Sequence, residues 1–104
     1  MRLSAELSAG VFAYGGNMDT RVALIGIVVE NTESVEQLNN VLHQYSNYII
    51  GRMGIPYRER EVSIISVAID APANVISALS GKLGMLDGIS TKTIYSKLTE
   101  KTNE

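Results

Sequence analysis

The sequence predicts an α+β domain with elements in the order β-α-β-β-α-β, folded as a four-stranded antiparallel sheet with two helices on one face. Three observations predict it. The run Arg21 to Glu30 (RVALIGIVVE) is almost continuously apolar, as in a strand covered on both sides. Ile49 to Asp70 (IIGRMGIPYREREVSIISVAID) reads as two β-rich runs joined by a charged turn. Two further stretches, beginning near Ser34 and Pro72, carry apolar residues at the three- and four-residue steps of helices.

Taken in order, the first strand has two apolar faces: Val22, Leu24 and Val28 on one, Ala23, Ile25, Ile27 and Val29 on the other. The first helix is expected to open at Ser34, because Ser34 and Gln37 have capping-box spacing, with Glu33 and Glu36 near the positive end of its dipole. Val35, Leu38, Leu42, Tyr45 and Ile49 form its apolar stripe, and the helix should end near Ser46-Asn47. The hairpin follows, with Ile49 to Ile55 as one arm, Pro56 to Arg60 as a polar turn, and Glu61 to Ile69 as the other arm. Gly51 and Gly54 mark a bulge or a close backbone approach. Pro72 suits the first turn of the second helix, and Asp70 is near enough to cap it. Val75, Ile76, Leu79, Leu83 and Leu86 supply the buried stripe, and Gly84 is placed to stop the helix in a left-handed conformation. Asp87-Gly88 then turns the chain into Ile89 to Tyr95, a last β-branched strand. This is the split β-α-β, or ferredoxin-like, arrangement. Two helices cover one face only, yet the first strand and Val62 to Ile69 are apolar on both. A second copy of the chain is the simplest cover for the other face, so a homo-oligomer, dimer or tetramer, is expected through the open sheet face.

The domain is expected to span residues 21–97. Residues 1–20 form an N-terminal extension, either a flexible arm or non-native sequence ahead of an authentic start at Met18, and 98–104 form a polar tail. At 104 residues and 45% apolar composition, the chain has the makeup of one globular domain. Nine basic residues against eleven acidic ones argue against autonomous nucleic-acid binding, and the second helix offers only Lys82 to a phosphate backbone. No cysteine is available for disulfides, thiolate chemistry or metal. No apolar run approaches the roughly 20 residues that span a bilayer, so no membrane partner is expected and the cytoplasm is the default compartment.

Several blocks together (VALIGIVVE, YIIGRMGIPYRE, VSIISVAIDAP, VISALSGKLGML and GISTKTIYSK) resemble the iron-only hydrogenase system regulator family, over about Arg21 to Lys97. That family is similar to amino-acid-binding ACT domains and to the C-terminal domain of nickel-responsive regulators, both ferredoxin-like and oligomeric. The resemblance implies a regulatory function. It does not extend to nickel chemistry, since those regulators hold metal through several His and a Cys, and this chain has His43 alone. Nor is there an evident counterpart of their DNA-binding ribbon-helix-helix segment.

The candidate sites follow from these two lines of reasoning. By resemblance to ACT domains, an amino-acid-like effector would lie at the loop after the first strand, where Asn31 and Thr32 are polar; helix capping accounts for both residues equally well. Arg52 and Arg58 are carboxylate or phosphate forks, and Tyr57 beside them can stack on a ligand or pack at an interface. The alternation of Arg58 and Arg60 with Glu59 and Glu61 also fits cross-strand or intersubunit pairing. His43, without a second ligand at helical spacing, reads as a surface histidine, so no metal and no cofactor are expected. No nucleophile, histidine and acid fall at a spacing that joins them. The acylphosphatase-type hydrolases of this topology need an Arg-bearing, Gly-rich loop where this chain has ENTESVEQ. The expectation is a non-catalytic oligomeric regulatory or sensing module with a small-molecule effector or a protein partner, and no direct DNA binding by this chain alone. The alternatives are an ACT-like domain in metabolic regulation and, behind it, an acylphosphatase-type hydrolase.

Overall fold

The computed structural model describes residues 19–97. The two terminal segments set apart by sequence therefore lie outside the described residues, but for Asp19 and Thr20. The elements are β1 (Thr20–Val29), a 3-10 turn (Thr32–Ser34), α1 (Val35–Gln44), β2 (Ile49–Tyr57), β3 (Val62–Pro72), α2 (Ala73–Gly84) and β4 (Ile89–Tyr95). The strands form one antiparallel sheet in the order β2-β3-β1-β4, which is the ferredoxin-like arrangement.

Strand period decides which residues meet the helices. In β1 the odd positions Ala23, Ile25, Ile27 and Val29 are buried, as are Ile65, Val67, Ile69 and Ala71 in β3. Leu38 and Leu42 of α1 and Ile76, Leu79 and Leu83 of α2 close over them, all buried. On β4, Thr91 and Thr93 turn the same way and come within 3.4 and 3.3 Å of the Ser80 hydroxyl of α2. The even positions face the other way, where no helix lies among the described residues.

Several local expectations change. Strand β2 runs through Pro56 and Tyr57, pairing them with Ser63 and Val62, so the turn is Arg58 to Glu61 rather than Pro56 to Arg60. Proline fits there because β2 is an edge strand with one unpaired side. Ile49 opens β2 instead of extending the α1 stripe, and a bulge separates it from Gly51. Ser34 makes no side-chain cap; its hydroxyl donates instead to the Asp87 carbonyl at 2.6 Å. Asp70 stays in β3, its amide donating to the Tyr48 carbonyl at 3.0 Å, and Pro72 stands at the uncapped start of α2. Gly84 ends α2, but the chain continues through Met85 at φ −83°; the left-handed glycine is Gly88, at φ +71°. At Ser34 and Asp70 a tertiary contact outcompetes the local signal.

Glu61 also adopts positive φ, at 56°, to close the β2–β3 turn. A side chain there costs roughly 1 kcal/mol that glycine does not incur, offset in part by the greater unfolded-state freedom of glycine. Glu61→Gly is expected to raise stability by about 0.5 kcal/mol, a gain of a few degrees in Tm. A lower Tm in thermal unfolding would mean that the Glu61 side chain contributes more than its backbone costs.

Candidate functional site

Period and register assemble a continuous apolar surface on the open side of the sheet. Ile55, Ile64, Val28 and Ser90 stand side by side across the four strands. The next row is Met53, Ser66, Gly26 and Lys92, and the one beyond it is Gly51, Ala68, Leu24 and Ile94. The large side chains are well exposed, Leu24 at 43%, Ile64 at 45% and Ile94 at 68%. Small residues at the centre leave an apolar depression of about 370 Å³ around Gly26. The strand residues with charge on this face are Lys92, on edge strand β4 beside the depression, and Asp70, at the end of β3.

The five residues singled out from sequence fall in three places. Asn31 is committed to structure: its Oδ1 accepts from the Glu33 amide at 3.0 Å and its Nδ2 donates to Asp87 at 2.8 Å. Thr32 is exposed on the adjoining 3-10 turn. Tyr57 and Arg58 lie at the hairpin tip, where the Tyr57 hydroxyl donates to Glu59 at 2.8 Å. There Glu30, Tyr57, Arg60, Glu61 and Val62 line an open cleft of about 540 Å³ with charges of both signs. Arg52 is separate from both, five residues back along β2 and on the helix-facing side, opposite Val67.

Arg52 reaches across to α1, where its guanidinium donates to Asn39 Oδ1 at 3.1 Å. Around this bond Asn39, Leu42, His43, Ser46, Ile49 and Arg52 line a cleft of about 270 Å³. Asn39 and His43 are four residues apart on one side of α1, and Ser46 follows in the turn after it. Sequence reasoning did not join these three to Arg52, although their spacing was there to be read. The side chains of His43 and Ser46 share the cleft with no hydrogen bond between them, and no carboxylate lines it. That is not a nucleophile, base and acid arrangement. Among the described residues no three His, Cys, Asp or Glu side chains gather as metal ligands, and no helix is long and apolar enough to cross a membrane.

A family profile, "TM1266-like: Iron-only hydrogenase system regulator, putative", matches residues 21–93, all four strands and both helices. The chain belongs to this family. The TM1266-like assignment is supported by a solved structure, the uncharacterized protein TM1266 from Thermotoga maritima, which is 37% identical over 75% of this chain and 99% of that one, with a TM-score of 0.72. A formyltetrahydrofolate deformylase from Pseudomonas putida KT2440 shares the fold alone, at 12% identity and a TM-score of 0.52. That match takes in 69% of this chain and only 28% of the deformylase. No curated protein matches the chain.

Proposed function

We propose that this TM1266-like protein is a non-catalytic regulatory module of an iron-only hydrogenase system, and that it works as a homo-oligomer assembled through the open face of its sheet. The observation that carries the oligomer is that apolar face. Strands about 4.8 Å apart and about nine residues long at about 3.3 Å each outline roughly 20 by 30 Å. That is of the same order as the ~800 Å² per partner in a standard interface, and at or above the largest apolar patch of typical monomers. A second copy presents the same apolar face, so it matches this one without a further partner. The regulatory part rests on the family. An effector at the loop after β1 is less favoured than on sequence grounds, because the polar atoms of Asn31 are already engaged.

Light scattering on the purified protein, alone and with duplex DNA, tests this reading. The expected mass is a multiple of the 11.3 kDa chain at micromolar concentration, with no added mass from DNA at physiological salt. A monodisperse monomer would remove the oligomer, and a DNA complex would make the protein a direct DNA binder.

A further inference from the structure

We propose that the cleft between the second half of α1 and edge strand β2 binds a small carboxylate bearing a short apolar tail. The inference stands apart from the sheet-face assembly, since Arg52 and α1 lie on the opposite side of the sheet.

Arg52 is the centre of the argument. Its guanidinium is oriented by one hydrogen bond to Asn39, and among the described residues it has no carboxylate partner. A guanidinium carries five N–H donors in a planar fork, so most of them remain for an anion. Arg58 and Arg60, by contrast, stand among Glu59 and Glu61 at the hairpin tip. His43 and Ser46 add hydrogen-bonding groups beside Arg52, and none of the lining residues is acidic. The cleft is thus cationic in a chain whose formal net charge is −2. The end of α1 would ordinarily repel an anion through its unpaired carbonyls. Here the Leu42 and His43 carbonyls are occupied by the Tyr45 and Ser46 amides, at 3.0 and 3.1 Å.

The remaining walls choose the ligand's other end. Leu42, buried, and Ile49, half-buried, give the cleft an apolar part beside the polar one. Its volume of about 270 Å³ lies just under the range of drug-sized pockets, which favours a compact acid. No carboxylate is present to receive an ammonium group, so a simple acid fits better than a zwitterionic amino acid.

An amide-resolved NMR titration of the full chain with butyrate, acetate and inorganic phosphate tests the proposal. Butyrate is expected to saturate on the order of millimolar, with shifts at Asn39, His43, Ser46 and the Arg52 Nε–H, and to bind more tightly than acetate or phosphate. Arg52→Gln should weaken butyrate about tenfold or more, and Arg52→Lys should restore only part of that, since it keeps the charge and loses the fork. Arg58→Gln should change nothing. Arg52 is exposed, so a dispersed spectrum of the variant will show that its fold is intact. The proposal is overturned if butyrate fails to saturate by about 50 mM, if Arg52→Gln binds as wild type, or if phosphate binds as tightly as butyrate.

Discussion

Leu24→Asp is expected to yield a folded monomer, and Ile25→Asp, one residue along the same strand, an unfolded or aggregated chain. The two side chains differ little in hydrophobicity and point to opposite sides of β1. Leu24 is 43% exposed on the open face, whereas Ile25 is fully buried in the core on the helix side of the sheet. An aspartate at position 25 would carry an uncompensated charge into the core and remove the packing of an isoleucine, a loss of about 4 kcal/mol or more. That is a large share of the ~5–15 kcal/mol stability of an ordinary domain. At position 24 the charge stays in water in the monomer, so the fold should lose no more than about 1 kcal/mol from strand propensity. Association through the open face, as proposed, would bury that charge on each copy, which is prohibitive. Circular dichroism and light scattering on the two variants decide the matter. If Leu24→Asp keeps the mass of the wild-type assembly, the open face is not the interface. If Ile25→Asp melts like wild type, the packing of the sheet on the helices is not as described.

The second large effect is expected at Gly88. This residue joins α2 to β4 at φ +71°, and its carbonyl accepts the Glu30 amide at 2.7 Å. A Cβ placed on it would lie 2.5 Å from the Asn31 Cβ and 2.9 Å from the Asn31 backbone nitrogen. Neither atom is the end of a flexible side chain, so the loop after β1 would have to move. That movement would strain the Asn31–Asp87 and Ser34–Asp87 hydrogen bonds, which tie the start of α1 to the same turn. Positive φ and overpacking together put the loss for Gly88→Ala at about 3 kcal/mol, or a fall in Tm of roughly 10–20 °C. A thermal melt within two or three degrees of wild type would show that the two loops separate without loss.

Particular residues show how much of this was legible beforehand. The two faces of β1 could be listed from its alternation, and the stripes Leu38-Leu42 and Ile76-Leu79-Leu83 announced both helices. Strand β4 has the predicted bounds. The helix ends were read less well. Ser34, Asp70 and Gly84 each carry a familiar capping chemistry, yet Ser34 bonds to a residue 53 positions away and Asp70 continues a ladder with Tyr48. Capping rules describe an isolated helix, and these ends are set by what packs on them. The candidate cleft was half visible. Arg52 stood out as a basic residue, but Asn39 and Ser46 gain meaning only once α1 is known to lie beside β2.

The amino-acid sequence by itself determined the order of elements, the presence of two apolar faces on the central strands, and the absence of cysteine chemistry, because periodicity and composition are local properties that survive any arrangement in space. Only the tertiary structure decided which face of β1 the helices take, since Val22-Leu24-Val28 and Ala23-Ile25-Ile27-Val29 are alike in hydrophobicity and the choice rests on how the crossovers place α1 and α2. It also decided that Gly88 rather than Gly84 is the glycine in the left-handed region, and that Arg52 is apart from Tyr57 and Arg58. Those outcomes depend on contacts between residues distant in the chain, whose energies no local pattern records.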